Sequence, residues 1–325
     1  MLQKKIDIIV PVYNKALFLN NLFNCLKLLP PDIFNIILVD DGSKDDSYEI
    51  MKKAISDNAL NHFYLYQKCN GGVSSARNYG LNISISEYIW FFDPDDLVDE
   101  RFFNDIKKIE NLKEDIIVFN YSIQDLKNNS IYEQNFDKYG ILSKNEFMIN
   151  FDALLSVNKN MNYVWNKFYK RSYLNDLKFN EKLILGEDRY FNLDVFSGSG
   201  NILVLNVYLY KYFIYPGSTL SQSLSLFKID NIYIVNQYNI RKLNFTREIC
   251  KAHIIDQIKV RTIFGENNLY EFYKKEHAKF KIKVVPFYSI QDLILFILVF
   301  TRLNVFCYKI FFYLKKFNRN LFLNK

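Results

Sequence analysis

The feature that most constrains this chain is a regular return of short apolar runs through its first 120 residues. They are Ile6 to Tyr13, Ile36 to Val39, Phe63 to Tyr66, Tyr88 to Phe92 and Ile116 to Phe119. Their centres lie about 26 to 29 residues apart, the length of one strand, one helix and two turns. The intervening segments carry helical spacing: Leu17, Leu22, Leu26 and Leu29 form one apolar stripe, and Tyr48, Met51 and Ile55 form a second. Because the runs are almost continuously hydrophobic, they suit a parallel sheet covered on both faces. The expected fold is α/β, a mostly parallel wound sheet of Rossmann-like type. In such a sheet ligands bind beyond the carboxyl ends of the strands.

Composition narrows the classes further. Half of the 325 residues are hydrophobic, with 10 Gly and 6 Pro, which excludes a disordered, collagen-like or linker-rich chain. The four cysteines (Cys25, Cys69, Cys250, Cys307) are far apart without a CxxC pair, and there are three histidines. This excludes zinc ribbons and disulfide scaffolds and fits a reducing cytoplasm. Asp7 interrupts the first apolar run, so no secretory signal is expected there. The formal charge of +7 is uneven. From Leu224 to Lys325 there are 18 Lys and Arg against 7 Asp and Glu, while the preceding residues are mildly acidic. No nucleic-acid-binding motif accompanies the basic third, so a nucleic-acid partner is not expected.

Polar motifs stand where the strands end. The first run closes on Pro11-Val12-Tyr13-Asn14, the second on Asp40-Asp41-Gly42-Ser43. Asp46 with Glu49 reads as a capping box opening a helix. Asp40 and Asp41 abut a buried strand and need donors, from a ligand or from the protein. The third run leads into Asn70 to Gly80, where Gly71 and Gly72 permit close backbone approach and open a helix whose N–H groups suit an anion. Arg77 adds a charge one turn further. The fourth run meets Asp93-Pro94-Asp95-Asp96. An extended Asp93 to Asp95 would aim two carboxylates the same way, a donor pair for a hard cation such as Mg²⁺ or Mn²⁺. Neither GxGxxG nor a P-loop is present, which disfavours nicotinamide oxidoreductases and P-loop kinases.

These four motifs, in this order and spacing, resemble family 2 glycosyltransferases, inverting enzymes with the GT-A fold. The resemblance implies a UDP-sugar donor and a divalent cation, Mn²⁺ or Mg²⁺. It places Pro11, Tyr13, Asn14, Asp40, Asp41, Gly72, Arg77, Asp93 and Asp96 at the nucleotide sugar, and Asp95 with Asp93 at the metal. Further along, Leu185-Gly186-Glu187-Asp188 resembles the family's Gly-Glu-Asp element. That implies Asp188 as catalytic base beside Glu187, at the start of a helix whose face includes Phe191 and Val195. Trp165 and Lys167 resemble a W-x-K element near the sugar or acceptor. Lys211 with Ser218, Ser221 and Ser223 is a loose match to an Arg-and-serine segment. The implied activity is hexosyl transfer, with galactose or glucose favoured, onto a hydroxyl of a bacterial surface glycan or glycolipid such as lipooligosaccharide or capsule. A non-catalytic nucleotide-sugar-binding scaffold is the alternative.

Between these motifs, Tyr121 to Lys144 reads as a polar, variable stretch. The expected division is a catalytic domain over 1–215 and a smaller, helical, basic region over 216–325. From Leu293 to Lys325 six basic and no acidic residues alternate with aromatics, and Arg302, Lys309 and Lys316 recur every seven. Its eight-residue apolar run, Leu293 to Phe300, is too short to span a bilayer. The tail suits either an anionic membrane interface, peripheral on the cytoplasmic face of the inner membrane, or packing on protein.

Overall fold

The computed structural model describes residues 6–109, 111–136, 138–143, 146 and 162–215. The chain divides into two compact units, Met1–Lys242 and Leu243–Lys325. The second unit, and with it the expectations for the basic tail, lies outside the described residues.

Four strands form as the apolar runs dictate: β1 (Ile6–Val12), β2 (Phe34–Asp40), β3 (Phe63–Gln67) and β4 (Tyr88–Phe91). Helices α1 (Ala16–Leu26), α2 (Ser47–Asp57) and α3 (Val73–Ile83) connect them. All pairings among these four strands are parallel, in the order β3-β2-β1-β4. Further along come β5 (Leu97–Val98), a short helix α4 (Phe102–Asp105), β6 (Ile116–Asp125), β7 (Ser130–Gln134) and β8 (Gly140–Leu142). Then follow β9 (Lys167–Lys170), α5 (Arg171–Leu174), α6 (Glu187–Ser197) and β10 (Ile202–Ile214). The sheet continues from β4 through β9, β6 and β10 to β5, with β9 antiparallel to both neighbours and β10 parallel to β6. The result is the expected α/β sheet, parallel in its first half and mixed beyond β4.

Alternation along β1 explains the two layers. Ile6, Ile8, Val10 and Val12 join the core beneath α1 and α2. Ile9 points the other way and meets α3 at Gly80. A Cβ on Gly80 would lie 2.4 Å from Ile9 Cγ2, within a fully buried contact. Gly80→Ala is therefore expected to destabilise the fold by about 1–3 kcal/mol, read as a lower urea midpoint at unchanged slope.

Several local expectations give way. Leu17 is 91% exposed, because the buried stripe of α1 is Leu19, Leu22, Phe23 and Leu26, on the opposite side of the helix. Asp46 makes no side-chain cap; Asp45 does that work, accepting from Ser47 N at 3.0 Å and Ser47 Oγ at 2.6 Å. The β3 edge is partly exposed rather than doubly covered. Tyr121 to Lys144 holds the second half of β6 and two strands, since β7 hairpins back on β6 and β8 pairs β10. Asp7, a carboxylate inside a buried strand, is satisfied by Ile85 N, Ser86 N, Ser86 Oγ and Asn35 Nδ2, at 2.6 to 3.0 Å.

Candidate active site

The loops following β1, β2 and β4 and the N-terminus of α6 gather at one rim. Pro11 is the penultimate residue of β1. Ile9 accepts from Phe92 N on the β4 side and Val12 accepts from Asp41 N on the β2 side, so Pro11 faces the β4 side after that ladder has ended at Phe91. Its missing N–H therefore costs nothing. Pro11 is buried and serves the turn, while Tyr13, 40% exposed, and Asn14 stand beyond it. Asn14 adopts φ 51° and ties the loop to the next one, donating its N–H to Ser43 Oγ at 3.0 Å and accepting from Lys44 N at 2.8 Å.

Asp40 and Asp41 find their donors within the protein. Asp40 is fully buried and accepts from Ser43 N and Gln67 Nε2. Asp41 accepts from Lys68 Nζ at 2.6 Å, Gly71 N at 3.0 Å, Gly72 N at 2.7 Å and Asn70 Nδ2 at 3.2 Å. The two glycine N–H groups expected to await a ligand anion are thus engaged by Asp41, a carboxylate already inside the chain. Gly42, at φ 70°, lets the turn pass so close to Asn70 that a Cβ would sit 2.9 Å from its backbone nitrogen. Asn70 opens the motif that the sequence marks, whereas Lys68, two residues before it, carries no motif of its own.

The segment 93–96 is a turn rather than an extended stretch: Asp96 N donates to Asp93 O at 3.2 Å. The three carboxylates consequently go to separate partners. Asp93 meets Arg77 Nη2 at 3.0 Å, Asp95 meets Lys15 Nζ at 2.6 Å, and Asp96 accepts from Tyr210 Oη at 2.6 Å and Phe213 N at 2.8 Å. Asp96 therefore looks inward to β10, and burial followed by the charges of Asp93 and Asp95 pushes its carboxyl well above the usual range. Tyr210 reaches it because β10 carries register shifts between Leu205 and Tyr208 and between Tyr208 and Tyr210, after which consecutive residues Leu209 and Tyr210 are both buried. Tyr210 Oη also accepts from Asp93 N at 3.2 Å. An irregularity of pairing leaves no mark on the sequence, so nothing there points to Tyr210 as a site residue.

Arg77 joins the two halves of the site. Its guanidinium, 3% exposed, reaches 16 residues along the chain to Asp93 and 111 to Asp188 at 2.5 Å, with Glu187 at 3.4 Å. Gly186, at φ 80°, opens α6 so that Glu187 and Asp188 occupy its first turn, while Phe191 and Val195 are buried behind them. Burial pushes the Asp188 carboxyl up to about 7, with Glu187 adding to this while Arg77, Val164 N–H and Lys167 oppose it. Asp93 rises to about 6, again chiefly through burial, with Arg77 opposing and Asp188 and Asp95 adding. Arg77 itself is held charged by the three carboxylates against the cost of burial.

Trp165 and Lys167 are not at the opening. Trp165 is 1% exposed, stacked by Tyr210 at 4.4 Å, Tyr163 at 4.6 Å and Tyr212 at 5.4 Å, with Tyr121 edge-on. No face is left for a sugar. Lys167 is fully buried and donates to Tyr163 O and Asn166 Oδ1; burial pushes its ammonium well below the usual range, with Asp188 opposing. Lys211 pairs with Glu100 at 3.2 Å, and Ser218, Ser221 and Ser223 lie outside the described residues. Among the described residues no group of three or more His, Cys, Asp and Glu could hold a metal ion by itself. Asp93 and Asp95, paired with Arg77 and Lys15, each bring carboxylate oxygens to this rim, the donor type that a divalent cation would take together with further oxygen ligands.

The sequence model of glycosyl transferase family 2 matches residues 7–178. The chain belongs to this family. Within it, the chain is 34% identical over 232 residues to the glycosyltransferase GlyA of Streptococcus pneumoniae, covering 67% of this chain and 32% of that protein. It is 28% identical over 217 residues to the poly(ribitol-phosphate) beta-N-acetylglucosaminyltransferase TarP of Staphylococcus aureus, covering 64% and 62%. The chain thus spans about a third of GlyA and less than two thirds of TarP. Residues 1–349 of S. aureus TarS, crystallised with UDP-GlcNAc, superpose with a TM-score of 0.57 at 21% identity, over 86% of this chain and 76% of that one. That likeness shows the GT-A fold. Among the described residues no helix is long and apolar enough to cross a membrane.

Proposed function

We propose that this family 2 chain transfers a sugar from a UDP-sugar to a hydroxyl group of a bacterial surface glycan, inverting the anomeric centre, with Asp188 as general base. The observation that carries the reading is the single Arg77 guanidinium holding Asp93 and Asp188, so that the strand-end carboxylates and the α6 carboxylates share one site. The names of TarP and of the TarS complex support a UDP-linked donor and a surface-polymer acceptor.

Tyr13, with its exposed ring, and the loop held by Asp41 and Asn14 form the nucleobase side. Asp93 and Asp95 would hold a Mn²⁺ or Mg²⁺ ion, which supplies positive charge to a leaving diphosphate. Asp188 accepts the acceptor's hydroxyl proton as that oxygen attacks C1 and the C1–O bond to the diphosphate breaks. The new C1–O bond forms on the opposite face, so an α-linked donor gives a β-glycoside. Glu187 keeps Asp188 basic through its like charge, and Arg77 orients both. Residues 1–215 carry this chemistry. The basic region 216–325 is assigned to contact with an anionic membrane surface on the cytoplasmic side, from its charge alone.

The test is UDP release from UDP-Gal, UDP-Glc, UDP-GalNAc and UDP-GlcNAc, with and without Mn²⁺. The names of TarP and of the TarS complex bear on UDP-GlcNAc among these donors. Release from none of the four, with a lipid-linked or polymeric glycan present, overturns the transferase reading. Asp95→Ala is expected to abolish the Mn²⁺-dependent part of UDP binding measured by calorimetry, while metal-free binding persists. Undiminished affinity in Mn²⁺ would remove Asp95 from the metal.

A further inference from the structure

Lys15 takes no part in the chemistry above, yet its ammonium lies 2.6 Å from Asp95 Oδ2, with both side chains 30% exposed. The pair is anchored at both ends. The Lys15 N–H donates to Ser47 Oγ at 2.8 Å, and its Nζ lies 5.1 Å from the Phe18 ring centroid. Phe18 meets Tyr215 edge-on, and Tyr215 Oη donates to the Asp95 carbonyl at 3.1 Å.

Four carboxylates crowd this rim: Asp93, Asp95, Glu187 and Asp188. Arg77 and Lys15 form ion pairs with them, and the two differ in kind. Arg77 is buried and committed to three carboxylates by a rigid, planar fork. Lys15 serves Asp95 alone among the described residues, on a flexible stem that reaches solvent. Arg77 cannot leave without stranding three carboxylates, whereas Lys15 leaves one that solvent reaches.

We propose that Lys15 is an exchangeable counter-cation of the site: its ammonium and a divalent ion are alternative partners of Asp95. A tethered ammonium neutralises the carboxylate and lowers the field that attracts the ion. When the ion arrives with a nucleoside diphosphate, the displaced ammonium gains the diphosphate as a new anionic partner. Nucleotide and cation then reinforce each other's binding. The inference rests on the transferase reading only where that reading gives Asp95 to the cation.

The experiment titrates the full-length protein with Mn²⁺ alone at low salt and follows free Mn²⁺ by electron paramagnetic resonance. Lys15→Met and Lys15→Gln are expected to bind Mn²⁺ about fivefold more tightly than the unaltered protein, and Lys15→Arg about equally. In Lys15→Met/Asp95→Asn the gain disappears. Unchanged or weaker Mn²⁺ binding in both neutral variants, or a gain that survives loss of the Asp95 charge, overturns the proposal. UDP release by the unaltered protein separates the two readings. Turnover without the Mn²⁺ gain refutes the exchange and leaves the transferase standing, and the gain without turnover does the reverse.

Discussion

Asp188→Asn is expected to slow sugar transfer by about 10²–10⁴-fold while UDP affinity stays within about twofold. The amide keeps the size of the side chain and an oxygen for Arg77, so the geometry of α6 survives and only proton acceptance is lost. The unaltered carboxyl should also set the acid limb of the pH profile. Burial raises it to about 7, so below that pH it carries a proton and cannot take another. Accordingly kcat/KM should climb as pH rises through about 7 and level off above it. Glu187→Gln removes a neighbouring negative charge that favours the protonated form, so its acid limb should move to lower pH. Rates of UDP release across pH 5.5–9 read both effects. Wild-type transfer by Asp188→Asn, or an acid limb shifted upward in Glu187→Gln, would remove the base assignment.

Much of this site could be read in the sequence, because its parts are tied to local rules. Strand runs of fixed spacing set β1 to β4, and the polar residues that follow each run had to meet at one rim. The distant carboxylate Asp188 was legible only through the Gly-Glu-Asp resemblance, since an acidic first turn is ordinary in any helix. Partner choice was not legible. Asp41 could have faced a ligand or its own chain, and the geometry of Gly71 and Gly72 decided for the chain. By residue type Trp165 can stack on a sugar face but is more often core, and the four tyrosines around it settle the matter for the core. Tyr210 and Lys15 depend on a β-bulge and on a side-chain reach across 80 residues, neither of which has a sequence period.

Arg77→Ala should produce the largest loss of stability in the site, about 3–5 kcal/mol, because it removes one charge and strands three. Asp93, Glu187 and Asp188 would then face one another around a cavity where the guanidinium had been, with Lys167 engaged by Tyr163 O and Asn166 Oδ1. Arg77→Lys keeps the charge but cannot span Asp93 and Asp188 together, so it should recover stability in part and activity hardly at all. The penalty has a pH signature. Asp93 rises to about 6 and Asp188 to about 7 even with the arginine present, and both rise further without it. Below those values the carboxyls are protonated and need no partner, so urea midpoints of Arg77→Ala and the unaltered protein should lie closer at pH 5 than at pH 8. A cavity effect alone would give the same difference at both. Adding Asp188→Asn to Arg77→Ala removes one of the stranded charges and should restore part of the lost stability at pH 8. If the double variant is instead the sum of the two single losses, the guanidinium is packing material rather than the clasp between the strand-end carboxylates and the base.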